Sequence, residues 1–229
     1  MFLEQLEAVF VLHLDDGENR FNLDTVAELS RLVAVVEAAS GPRALVTVGE
    51  GKFWSNGLDL DWLTANQPRA SELLLAVHEL FAQVVAAGVP TVAALQGHCY
   101  AAGAMLALAH DIRIMREDRG FFCLPEIDIR LAFSPGMSAL VSSKLTPQVA
   151  HEAMVFGRRY GGVDAASLRI VDETASEPDI LPRAIAVAAS LAGKDSATLA
   201  TIKRTLYAPV LRALAERGAN SKIDGLFAR

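Results

Sequence analysis

The chain has 229 residues, 52% of them hydrophobic and 21% charged, with a formal net charge of −6. A high apolar share with modest charge excludes a disordered chain, and at ~150 residues per domain it describes one large domain, or one with an appendage, able to bury its own core. The acidic balance argues against a nucleic-acid partner, which needs a basic face, although scattered Arg and Lys leave room for a small anionic ligand.

The opening segment MFLEQLEAVFVLHLDDG lacks a basic stretch ahead of its apolar run and carries Glu4 and Glu7, so it reads as a strand-like start rather than a secretion signal. A β-rich run at residues 9–14 ends in the turn cluster Asp15-Asp16-Gly17-Glu18-Asn19. Asn22-Leu23-Asp24 opens a helix whose apolar residues Val26, Leu29, Leu32, Val33 and Val36 recur at three- and four-residue spacing, until Gly41-Pro42 stops it. Residues 44–48 (ALVTV) read as a buried strand, KFWSNG as a loop, residues 59–65 as a short helix and 71–87 as a longer one. Residues 89–95 read as a strand, 101–109 as a small-residue helix, and 112–115 and 120–123 as short strands. Alternation of this kind predicts an α/β architecture with chemistry on its βα loops. Strand signals end near Glu173, and helices are expected at 180–192, 196–207 and 209–217. The expected division is a core at 1–176 and a helical region at 177–229, with the boundary near Glu177-Pro178.

Residues 81–109 contain no Asp, Glu, Lys or Arg, but Gly88-Val89-Pro90 and Gln96-Gly97-His98 cut the stretch into pieces too short to span a bilayer. No membrane association is expected. Cys99 and Cys123 form neither a disulfide framework nor a CxxC site, and read as buried thiols suited to a reducing cytoplasm. Gly49-Glu50-Gly51 is followed by Trp54 where a dinucleotide fingerprint needs Gly, and Val46 and Phe53 break a P-loop around Gly51-Lys52. The five histidines (13, 78, 98, 110, 151) have no ligand spacing, and HExxH and GxSxG are missing, so no metal site is expected.

Two loops remain. Lys52-Phe53-Trp54-Ser55-Asn56-Gly57-Leu58-Asp59-Leu60 lies between a strand and a helix, and Gly97-His98-Cys99-Tyr100-Ala101-Ala102-Gly103-Ala104-Met105-Leu106 follows a strand and opens a helix. Small residues at 101–104 let a ligand approach the backbone, and a helix starting there aims free N–H groups at it. Close helix–sheet packing explains the same composition.

SNGLDL, then VAALQGHCYAAGAMLALAHDIRI, then FFCLPEIDIRL, in that order and spacing, resemble the crotonase, or enoyl-CoA hydratase/isomerase, superfamily over roughly residues 9–173. The wording GKFWSNGLDL, AAGAMLALAHD and EIDI looks most like its 3,2-enoyl-CoA isomerase branch, which includes peroxisomal plant members. The resemblance implies a spiral of ββα units with a C-terminal helical trimerisation region, assembly as a homotrimer or dimer of trimers, and an acyl-CoA thioester as substrate with no separate cofactor. It places backbone oxyanion donors at Leu58 and Ala102, the latter standing where Gly is usual, and acyl-CoA contacts at Asn56, Gly57, Leu58, Asp59, Leu60 and Ala102.

Hydratases of the family use two Glu. One maps to Met105 and the other to Glu126, so the resemblance leaves a single carboxylate facing an enolate. That pattern suits a double-bond shift from position 3 to position 2 with Glu126 as both base and acid, in an apolar pocket with Phe121, Phe122, Met105 and Leu131 as expected walls. Asp128 is a possible partner, rival base or surface charge. Asp59 reads as a helix N-cap first. Phe133-Ser134-Pro135-Gly136-Met137-Ser138 replaces a Gly-rich segment and is expected to reshape the acyl pocket. Arg20 and Lys52 are candidate contacts to CoA phosphate or ribose, while His98, Tyr100, Trp54 and Trp62 read as packing residues. Other family chemistry (hydration, thioester hydrolysis, decarboxylation) and non-catalytic acyl-CoA binding stay open as alternatives.

Overall fold

The computed structural model describes residues 1–222. Strands β1 (Phe2–Leu6) and β2 (Val9–Leu14) form an antiparallel hairpin whose turn places Glu7 at φ 53°. Helix α1 (Leu23–Ala38) follows. The Asn22 side chain accepts from the backbone N–H groups of Asp24 and Thr25, and the Thr25 hydroxyl accepts from Asn22 N–H, closing a capping box. All five residues of the expected apolar stripe are buried.

From β3 (Ala44–Gly49) onward the chain repeats one pattern: a longer strand, a short strand, then helix. β3 leads to β4 (Phe53–Ser55), α2 (Leu60–Ala65) and α3 (Ala70–Ala86). β5 (Thr91–Leu95) leads to β6 (His98–Tyr100) and α4 (Ala102–Ala109). β7 (Ile112–Arg116) leads to β8 (Phe122–Cys123), α5 (Pro135–Lys144), α6 (Pro147–Phe156) and α7 (Gly162–Ser167). β9 (Glu173–Ala175), α8 (Ile180–Leu191), α9 (Ser196–Leu206), α10 (Ala208–Ala215) and α11 (Arg217–Asn220) complete the described chain. The longer strands build a six-stranded sheet in the order β1-β2-β3-β5-β7-β9, parallel except for the first pair. The short strands build a second, parallel sheet in the order β4-β6-β8. This is the expected spiral of ββα units.

The central strands of the large sheet are buried on both faces, which is why β2 and β3 read as continuous apolar runs rather than alternating ones. Val9, Val11, Val46, Val92 and Ile114 face α8, whose Ile180, Ala184 and Ala188 complete that cluster. Phe10, Leu12, Leu14, Leu45, Ala93 and Leu95 face the opposite way, into the core shared with α1, α3 and α4. Helix α9 is tied to the sheet by a buried ion pair. Lys203 Nζ donates to Asp111 Oδ2 at 2.6 Å and to Val89 O at 3.0 Å.

Several expectations need correction. The KFWSNG loop and the segment after Gly97 each contain a strand, β4 and β6. The strand expected from residue 89 starts at Thr91, and that expected at 120–123 shrinks to Phe122–Cys123. Helix 209–217 is broken at Glu216 into α10 and α11, and α5–α7 had not been expected at all. In the 177–229 region α8 covers the large sheet while α9, α10 and α11 pack against α3; residues 223–229 lie outside the described residues. No helix among the described residues is long and apolar enough to cross a membrane.

Candidate active site

Three segments converge, each just beyond the end of a short strand. The first follows β4. The Ser55 hydroxyl donates to Asn19 O at 2.7 Å and accepts the Gly57 N–H at 3.2 Å. Phe21 N–H donates to Gly57 O and Asp59 N–H donates to Phe21 O, a one-residue parallel bridge that uses both neighbours of Leu58. The Leu58 N–H consequently points the other way and has no hydrogen-bond partner among the described residues. Gly57 sits at φ 79°, and a Cβ there would lie 2.8 Å from Ala101 Cβ and 3.0 Å from Ala102 N. Only glycine lets the two segments abut.

The second segment joins β6 to α4. Ala101 holds φ 51° and ψ −128°, a conformation that costs a non-glycine residue about 1–3 kcal/mol. That bend turns the chain from strand into helix in a single residue, so the Ala102 N–H opens α4 without a partner among the described residues and lies at the positive end of the helix dipole. Helix α4 packs close on β4 because residue 103 is glycine; a Cβ there would lie 2.6 Å from Ser55 Cβ and Oγ.

The third segment follows β8. Leu124-Pro125 leads into a coiled turn in which Pro125 O accepts the N–H groups of Asp128 and Ile129, and Glu126 O accepts Leu131 N–H. The Glu126 side chain is folded inward: the residue is 6% exposed, and its Oε2 is buried without a hydrogen-bond partner among the described residues. Burial pushes its carboxyl from an ordinary 4.5 up to about 7, opposed only by a backbone hydrogen bond. Its neighbour Asp128 is exposed, a surface charge rather than a second base.

These segments enclose a cavity of about 50 Å³ lined by Asn56, Leu58, Leu60, Ala101, Ala102, Met105, Glu126, Ile129, Leu131, Ala132 and Met137. It opens into an outer groove of about 300 Å³ that shares Asn56, Leu58, Leu60, Ala101 and Ile129 and adds Arg20, Asp61, Tyr100 and Pro125. Asn56, Leu58, Leu60, Ala102 and Glu126 thus line one space. Gly57 and Asp59 do not line it. Gly57 acts through its backbone, and the Asp59 carboxylate accepts Trp62 N–H at 3.0 Å as the N-cap of α2.

Of the expected walls, Met105 and Leu131 are present while Phe121 and Phe122 are not. Phe122 exchanges both backbone hydrogen bonds with Tyr160 and turns into the core, and its strand neighbour Phe121 emerges on the outer surface, stacked on His98. Of residues 133–138, Met137 lines the cavity. Sequence reasoning named the segment but missed α5, although Ser134-Pro135 is a helix-start signal. Arg20 reaches the groove but is paired with Glu18 at 2.7 Å and Asp61 at 2.9 Å; Lys52 lies over the Phe53 ring, outside it.

The sequence matches the profile of the enoyl-CoA hydratase/isomerase family over residues 4–223. The chain belongs to that family. Within it, the chain is 38% identical to the peroxisomal enoyl-CoA delta isomerase 2 of Arabidopsis thaliana over 218 residues, covering 90% of this chain and 91% of the relative. It is 36% identical to enoyl-CoA delta isomerase 3 of the same plant, covering 92% and 93%. Among solved structures of the family, human mitochondrial delta3-delta2-enoyl-CoA isomerase superposes with a TM-score of 0.88 at 22% identity, covering 96% of this chain and 88% of that one, a likeness of fold.

Proposed function

We propose that this family member isomerises 3-enoyl-CoA thioesters to 2-enoyl-CoA, with Glu126 moving the proton and the Leu58 and Ala102 N–H groups holding the thioester oxygen. The observation that carries the reading is one buried, unpartnered carboxylate oxygen in an apolar cavity that also receives two unpaired backbone N–H groups. The ionised carboxylate takes a proton from C2. Charge moves to the thioester oxygen, where two fixed donors stabilise the dienolate; losing one such donor costs roughly 10²–10³ in rate. The same carboxyl then returns the proton to C4, leaving the double bond conjugated with the carbonyl. A base near pKa 7 is matched to this work, being about half ionised at neutral pH yet far stronger than an exposed Glu. Water addition is disfavoured because Met105 stands where a second carboxylate would orient the water.

The names of the Arabidopsis relatives support the same reaction. The outer groove would take the CoA moiety, which arrives as part of the substrate, so the proposal includes no further cofactor. Assembly as a trimer or dimer of trimers is also proposed, supported by Ile202 and Leu206, which α9 leaves exposed; light scattering reads it directly. Residence in the cytoplasm is proposed as well, and a peroxisomal signal in imaging of the tagged protein, as the Arabidopsis relative's name suggests, would overturn it.

The test is turnover of 3-hexenoyl-CoA, followed by ultraviolet absorbance of the conjugated thioester and by mass. Conjugated product at unchanged mass, lost by at least ~10² in Glu126→Gln, is the expected result. Mass gain would indicate hydration, CoA release would indicate hydrolysis, and binding without turnover would indicate a non-catalytic acyl-CoA protein.

A further inference from the structure

The cavity and the outer groove share Asn56, Leu58, Leu60, Ala101 and Ile129, which therefore mark the junction between them. Met105, Leu131, Ala132 and Met137, together with Ala102 and Glu126, line the cavity alone, away from the groove. An acyl chain whose thioester sits at the junction end must run toward the first four. They differ in burial: Met105 and Met137 are sealed off from solvent, Leu131 is half-buried and Ala132 is exposed.

Met137, a side chain of a type that ordinarily adapts to its surroundings, sits on a helix turn held by buried hydrogen bonds. Its own N–H donates to Ser134 Oγ, the N-cap of α5. That hydroxyl is also within 2.6 Å of His78 Nε2 on α3, and the other His78 ring nitrogen is engaged by Leu74 O. Gly136 N–H donates to Asn220 Oδ1 at 3.0 Å, while Asn220 Nδ2 donates to Ala213 O and Leu214 O. His78, Ser134 and Asn220 are all buried. Residue 136 must be glycine for this, since a Cβ would lie 2.7 Å from the His78 ring and 3.0 Å from the Asn220 amide. Three separate parts of the chain thus pin the first turn of α5 behind the cavity.

We propose that Met137 is the stop that sets acyl-chain length, making the protein selective for short and medium chains, and that His78, Ser134 and Asn220 are positioning residues for that stop. The proposal rests on the acyl-CoA reading of the site and deepens it. Each methylene buried before the stop adds about four-fold to kcat/KM, from ~0.8 kcal/mol per methylene. Carbons beyond it must turn out past exposed Ala132, where they gain little. A plot of log kcat/KM against chain length should therefore rise and then flatten.

Met137→Ala removes three heavy atoms from the cavity wall, and room for two or three more methylenes should raise the 3-dodecenoyl-CoA to 3-hexenoyl-CoA ratio of kcat/KM by about 15- to 60-fold. Met137→Phe should move the ratio the opposite way and shift the break to shorter chains. Asn220→Ala should shift it in the same direction as Met137→Ala but less, chiefly through KM. If both Met137 variants keep the wild-type break point, the stop is elsewhere and the proposal falls. An Asn220→Ala profile identical to wild type would overturn the positioning role. Should the wild type bind but not turn over enoyl-CoA, the isomerase reading fails on its own. The chain-length break is then read from calorimetric Kd values for saturated butanoyl- to dodecanoyl-CoA, with the same outcomes for the variants.

Discussion

Glu126→Gln should disable the protein and stabilise it at the same time, with the stabilisation depending on pH. Glutamine has the shape of the neutral acid, so the two differ only where the acid ionises. Below pH 4.5 Glu126 is neutral folded and unfolded, and the substitution should be close to silent. Between pH 4.5 and about 7 the unfolded chain releases the proton while the buried group keeps it, so wild-type stability falls as pH rises. Above about 7 both states are ionised and the full cost of a buried, unpartnered carboxylate is present. At 1.36 kcal/mol per pKa unit, a rise from 4.5 to about 7 corresponds to about 3 kcal/mol. For a chain of this size that is a Tm difference of about 6–12 °C at pH 8.5. Paired thermal melts of wild type and variant at pH 4 and pH 8.5, with urea titrations for the free energies, measure it. A variant no more stable than wild type at pH 8.5, or equally stabilised at both pH values, would show that the carboxylate is not held ionised in an apolar site, and the case for a tuned base would go with it.

The same group sets the pH dependence of the reaction. In wild type kcat/KM should fall about tenfold per pH unit below about 7 and level off above it, and a profile flat from pH 5 to 8 would exclude Glu126 as the base. Gly57→Ala places a methyl against Ala101 and the Ala102 N–H at a backbone angle that disfavours side chains, so turnover should drop by about 10² while far-ultraviolet circular dichroism stays native. Asp111→Asn keeps the acceptor for Thr91 but strips Lys203 of its partner charge, and should cost about 3 kcal/mol in urea denaturation.

Features with enough length to show a period could be read from the sequence. The α1 stripe from Val26 to Val36 repeats for more than two turns, and β2 and β3 are six residues each, long enough for an apolar run to stand out. The short sheet could not be read. β4, β6 and β8 have three, three and two residues, fewer than one strand alternation needs, and each exists because its neighbour in the other ββα unit supplies hydrogen bonds. The same blindness misplaced Phe121 and Phe122, because which side of β8 faces the cavity is decided by pairing with Cys99, Tyr100 and Tyr160. The first turn of α5, which carries Met137, is held through Ser134 by His78 and through Gly136 by Asn220, partners 56 and 84 residues apart that no local pattern encodes.

The brevity of the second sheet accounts for the position of the chemistry. Its strands are parallel, with Ser55 opposite Cys99 after a register shift in β4, Cys99 opposite Phe122 and Tyr100 opposite Cys123, so their C-terminal ends meet at one edge. Two or three residues past those ends stand Leu58, Ala102 and Glu126. Parallel strands spend their own backbone groups on the ladder and release the chain at a common edge, where the following residues are free to present N–H groups and side chains to a ligand. A longer strand would carry each group further from the junction with the large sheet. A shorter one would lose the pairing that fixes Ala101 in its strained bend. Two N–H donors and a carboxylate from segments up to 68 residues apart are thereby brought to line one cavity by three short strands. The strain at Ala101 and the buried charge of Glu126 are offset by the packing of the large sheet between its two covering layers.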